Sequence, residues 1–98
     1  MRIGTVIGSV TLSRSHPSLQ GASYRLAVPL SQANLRGNFN EIAEAFVVYD
    51  ELGAGIGSQI AISEGAEAAQ PFRPELKPVD AYNAAILDNI ELMKEANT

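Results

Sequence analysis

The sequence predicts an all-β domain: five short strands closed as a small barrel, with one short helix before the last strand. Short runs rich in Val, Ile and Tyr alternate with period 2, as in Tyr24 to Leu30 and Gln59 to Ser63. Clusters of Gly, Pro, Ser and Asn punctuate those runs. The chain has 98 residues, 46% of them hydrophobic, with no Trp. That length suits one domain burying about 60–65% of its unfolded surface, so the core is thin and built from Val, Ile, Leu and Ala. A thin core makes oligomerisation an expected source of stability.

The first strand is expected over Arg2 to Leu12. Gly4 and Gly8 are read as sharing one face, where missing side chains permit the bend of a barrel corner. Ser13 to Gly21 is a polar loop. The second strand, Tyr24 to Leu30, sets Tyr24, Leu26, Val28 and Leu30 on one face and Arg25 and Ala27 on the other. Pro29 lacks a donor, which places that end at an edge. Ser31 to Glu44 is the longest irregular stretch and reads as an elaborated connection. The third strand, Ala45 to Asp50, is apolar on both faces, which points to a subunit contact.

After the fourth strand, Glu64 to Pro78 reads as a short helical turn followed by extended chain. Asp80 is then the expected N-cap of the helix leading into the last strand, because Val79, Tyr82, Ala85 and Ile86 share a helical stripe. The last strand is expected over Ile86 to Met93. Residues 1–93 thus form one domain and 94–98 a polar tail.

The stretch Asp50 to Ser63, DELGAGIGSQIAIS, carries Gly53, Gly55 and Gly57 at every second position. A dinucleotide fingerprint requires G-x-G-x-x-G opening a helix, with an acidic residue about 20 positions on. Here the spacing is G-x-G-x-G and a strand follows, so no helix N-terminus faces a phosphate. A P-loop requires Gly-Lys-Ser/Thr, and no lysine precedes Lys77. A tight turn between strands accounts for the loop better, yet three glycines exceed what a turn needs. A close approach to that backbone is the remaining reason for them.

Other chemistry is sparse. There is no cysteine, which excludes disulfides and thiolate metal sites. The formal charge is −4 without a basic cluster, which argues against nucleic acid as a partner. No apolar run approaches the roughly 18 residues of a membrane helix and no signal peptide is evident, so a cytoplasmic location is expected. His16, alone in a loop, reads as a surface residue. Asp80 and Asp88 are explained as cap and turn residues rather than an acid–base pair, and Ser58 and Ser63 lack a nucleophile motif. Asp50 and Glu51 offer too few oxygen ligands for a cation. No catalytic constellation, cofactor site or metal site emerges, and an enzyme is not expected.

DELGAGIGSQIAISEGAEAAQ resembles the Asp-x-x-Gly-Ala-Gly-x-Gly signature of the EutN/CcmL family, the vertex subunits of bacterial microcompartments. RIGTVIGSV resembles that family's opening strand, HPSLQG its first loop, and KPVDAYNAAILDNIEL its Pro-Val/Ile-Asp helix and final strand. The likeness spans nearly the whole chain, with Ser31 to Glu44 the main gap. It implies an OB-like barrel that forms homopentamers and closes the corners of a polyhedral shell among hexameric tiles. It also implies that Gly53, Ala54, Gly55, Ile56, Gly57 and Ser58 surround the five-fold axis, where they line an axial pore and form the subunit contact. Three departures stand out: Ser58 where the family often has an acidic residue, Ala69 where it has arginine, and the Ser31–Glu44 connection. The competing reading is a free-standing OB-like module binding a small ligand or oligosaccharide, which would display aromatics or cations on exposed strand faces.

Overall fold

The computed structural model describes residues 1–11, 17–19, 23–74 and 79–93, so His16, Lys77 and the tail 94–98 lie outside the described residues. Among the described residues there are five strands: β1 (Arg2–Val10), β2 (Ser23–Pro29), β3 (Phe46–Asp50), β4 (Gln59–Glu64) and β5 (Ala81–Leu87). They close into a barrel in the order β1-β2-β3-β5-β4. Neighbours are antiparallel except β3 and β5, which meet in parallel at Tyr49 and Tyr82. β-branched residues populate the strands because they fit a pleated, half-buried surface.

A five-stranded barrel has a narrow interior, and its lining is accordingly small or medium: Val6, Ala27, Val48, Ala54, Ile60, Ile62 and Ala81. Tyrosines do not fit there. Tyr24 and Tyr49 lie on the opposite strand faces, in a second cluster with Ala68 and Val79. A 3₁₀ segment, Gly65–Phe72, covers this cluster. Tyr49 meets Tyr24 edge-on at 5.4 Å and Phe72 at 4.8 Å between ring centroids, geometries that favour ring quadrupoles. The outer face of β3 is therefore half covered within the chain: Tyr49 is buried, whereas Val47 stays 44% exposed.

The β2–β3 connection is more ordered than expected. Ser31 caps one helical turn, α1 (Gln32–Leu35), and Asn34 returns the bond in a capping box. The Asn34 side chain, buried, also donates to the carbonyls of Asn38 and Glu41, both at 2.9 Å. One side chain thus organises the arm. Pro29 ends β2 beyond the last β2–β3 pair, Ala27 with Phe46, so its β3 side is an edge as expected.

Two β-bulges account for the expectations that fail. In β1 the register shifts between Val6 and Gly8. Val6 faces the interior while Val10 packs on the outer cluster, so Gly4 and Gly8 do not share a face. In β5 the register shifts opposite Ala61 and Ile62, leaving Ala84 exposed between Asn83 and Ala85. The inserted residue converts a period-2 strand into a spacing that mimics a helical stripe through Tyr82, Ala85 and Ile86. The chain from 81 is strand, not helix, and β5 ends at Leu87 rather than Met93. Asp80 consequently caps nothing. It is exposed, and its backbone carbonyl accepts from the Gly65 N–H at 2.8 Å. The short helix before the last strand is instead Gly65–Phe72.

Gly4 is required by packing. A Cβ there lies 2.7 Å from Ile62 Cδ1 and 3.1 Å from the Val28 carbonyl oxygen. Ile62 is fully buried and has little room to yield. Gly4→Ala is expected to cost about 1–3 kcal/mol, the usual range for overpacking; a urea midpoint equal to the parent's contradicts this.

The outer cluster makes an alkaline prediction. Burial first, and Tyr49 second, raise the Tyr24 hydroxyl above its ordinary pKa of 10.0. Burial first, then the hydrogen bond to Glu51 and nearby negative charges, raise Tyr82 likewise. Folding therefore favours the neutral phenols. Their contribution is complete below pH 10.0 and is lost as pH rises through the folded-state values. Melting temperature is expected to fall above that pH, and the Tyr24→Phe/Tyr82→Phe protein to lose part of that slope.

Candidate functional site

The glycine loop is built outward from Asp50, the last residue of β3, which is 2% exposed. Its carboxylate accepts from the Leu52 N–H at 3.0 Å and from the Ala54 N–H at 2.9 Å. The first bond is an Asx turn, a local habit of aspartate at chain reversals. Asn83 on β5 donates its side-chain amide to Asp50 Oδ1 at 2.9 Å. Arg25 on β2 brings Nε to 3.5 Å from Asp50 Oδ2 and donates to the Ala54 carbonyl at 2.7 Å. Three strands thus hold one carboxylate, and the carboxylate holds the loop.

Ala54 is pinned at both its N–H and its carbonyl, with its methyl in the barrel core. On the exit side the Gly57 N–H donates to the Val6 carbonyl at 2.8 Å, and the Val6 N–H to the Ser58 carbonyl at 2.9 Å. The Tyr82 hydroxyl donates to the exposed Glu51 carboxylate at 2.9 Å.

The three glycines separate by cause. Gly53 has φ +75° and Gly57 φ +91°, left-handed conformations that favour glycine. Gly55 does not have a positive φ, and a Cβ there would meet nothing within 4 Å. Within a single chain nothing demands glycine at 55. The loop also displays Ile56 at 77% exposure and Leu52 at 49%. Ser58 is half-buried at the start of the return to β4.

Among the other candidates, Asp80 and Asp88 flank opposite ends of β5 and are not brought together. Asp50 and Glu51 diverge: one is buried against loop amides, the other exposed on Tyr82. No cluster of metal-ligating side chains occurs among the described residues. The roles of Arg25 and Asn83 escaped the sequence reading. Their signal was present: a lone cation beside Ala27 on the inward face of β2, and a lone amide in an apolar run.

Residues 1–88 match the family model described as ethanolamine utilisation protein EutN/carboxysome. The chain belongs to the EutN/CcmL family. It is 33% identical over 92 residues to the carboxysome shell vertex protein CcmL of Synechococcus elongatus, covering 94% of this chain and 88% of the relative. It is 29% identical to the microcompartment shell vertex protein GrpN of Rhodospirillum rubrum, covering 93% and 97%. The fold agrees with that of Gloeobacter violaceus CcmL at a TM-score of 0.79, with 30% identity over 94% of this chain and 90% of the other. It also agrees with the pentameric GrpN shell protein at 0.75, with 27% identity over 95% and 100%. These family members are structural shell proteins rather than enzymes.

Gly53→Ala and Gly57→Ala are expected to cost about 1–2 kcal/mol each through left-handed backbone. Gly55→Ala is expected to stay within about 0.5 kcal/mol. Urea unfolding of the variants as dissociated monomers checks this; equal losses at all three positions contradict it.

Proposed function

We propose that this protein is a structural subunit of a bacterial microcompartment shell in the cytoplasm, assembling as a homopentamer that caps the shell's vertices among hexameric tiles. The Gly53–Ser58 loop encircles the five-fold axis in this reading. Gly55 carries it: glycine stands where neither its own φ nor any neighbour in the chain requires it. Convergence of five identical backbones on one axis supplies the missing reason, because a side chain there would be repeated five times in the narrowest part of the ring.

The vertex-protein relatives and the pentameric GrpN neighbour support the assembly state. Rings of this kind close through head-to-tail contacts, which join two different patches on each copy. Ile56 on the loop and Val47 with Ile7 on the barrel wall are exposed apolar groups suited to such contacts. Flat hexagonal tiling does not close on itself, so five-fold units are the geometric requirement of a polyhedral shell. The ligand-module alternative wants exposed aromatics on strand faces, whereas Tyr24 and Tyr49 are engaged beneath the 65–72 segment.

Native mass spectrometry at micromolar concentration is expected to show a pentamer for the parent and for Gln59→Val, and loss of the pentamer for Gly55→Val. A monomeric parent, or equal assembly of both variants, overturns the reading.

A further inference from the structure

We infer that Asp50, with Arg25 and Asn83, is a positioning device for assembly, fixing the glycine-loop backbone in the shape against which a second copy of this chain docks; the inference rests on the pentamer reading. The Asp50 side chain is wholly buried and that of Arg25 is 22% exposed, inside a barrel with a thin apolar core. Apolar replacements of buried ion pairs are often neutral or stabilising, so stability alone does not explain a charge there. A carboxylate gives direction instead. It accepts from two loop amides, Leu52 and Ala54, on one side and from β5 on the other.

The loop needs that direction because glycines at 53, 55 and 57 leave its backbone with more freedom than any other residue type allows. Asp50 and Arg25 grip the two ends of Ala54, so Gly53 and Gly55 flank a residue that is fixed to the core. Tyr82 tethers Glu51 from the exposed side, one residue along β5 from Asn83. A loop ordered before docking does not lose that freedom on docking, and a ring collects the gain at every interface.

Asp50→Asn tests this with little change of volume. The amide keeps one acceptor, faces a donor against at least one of the loop N–H groups, and removes the ion pair. Three readouts are taken together: far-UV circular dichroism, amide exchange, and pentamer fraction by native mass spectrometry. The expected result is a folded barrel whose Leu52 and Ala54 amides exchange roughly tenfold faster relative to Val48 and Ile60, with pentamer depleted by roughly tenfold or more. Arg25→Lys keeps the charge but loses the planar fork, and is expected to fall between parent and Asp50→Asn on both measures.

An intact ring with fast loop exchange overturns the inference, since loop shape is then not needed. A lost ring with loop amides still protected overturns it too, since Asp50 then acts elsewhere. If Asp50→Asn does not fold, Arg25→Lys decides on the same two measures. A monomeric parent sinks this inference together with the pentamer reading, whereas an intact Asp50→Asn ring sinks this inference alone.

Discussion

The Asp50 carboxylate is the point through which barrel and loop are joined. It closes an Asx turn at the end of β3, takes a hydrogen bond from β5 and pairs with Arg25 from β2. β3 and β5 run parallel and share a short contact at Tyr49 and Tyr82, the most sparsely laddered seam of the barrel. The Asn83–Asp50 bond crosses that seam with side chains where backbone pairing is thin. The same carboxylate sets where the loop leaves the wall, so closure of the barrel and presentation of the loop are one arrangement. A buried charge is costly to desolvate, and here its donors come from the loop, from β2 and from β5.

Narrowness imposes the remaining organisation. A five-stranded barrel admits Ala, Val and Ile, and excludes the tyrosines to its outer face. Those rings then need a cover, which the alanine-rich 65–72 segment supplies through Ala68 and Phe72. What that segment does not reach remains open: Val47 and Ile7 on the wall, and Leu52 and Ile56 on the loop. A chain of this size thus covers one apolar surface with its own residues and leaves another exposed.

Much of this was legible in the residues. The period-2 runs located β1 to β4 nearly to the residue, and the alanine-rich segment was read correctly as a helical turn. The family signature in DELGAGIG led to the fold and to the vertex role of the relatives. β5 was misread because the bulge at Ala84 breaks the alternation, and a broken alternation of 2 passes for a helical 3–4 spacing. The relation of Gly4 to Gly8 failed for the same reason at Ile7. Bulges are set by pairing partners distant in sequence, so a local pattern does not contain them. α1 was missed because Asn34, not Glu or Gln, completes its capping box. At the loop, glycine spacing was visible, but which glycines answer to backbone geometry and which to a neighbour required φ values. Arg25 and Asn83 are far from the loop in sequence, and closure of the barrel brings them to it.

Gly53 and Gly57 serve the turn, whereas nothing within one chain explains Gly55, and the loop convergence proposed above would explain it. The pentameric GrpN relative makes such an axis, in that proposal, a five-fold one. The most direct measurement is a structure of the assembled protein, with the distance between Gly55 Cα atoms of adjacent subunits read from it. The expected result is a pentamer in which the Gly53–Ser58 loops ring the axis and Gly55 makes the nearest backbone approach between neighbours. A ring with those loops at its outer rim, or with a side-chain-sized gap beside every Gly55, contradicts it.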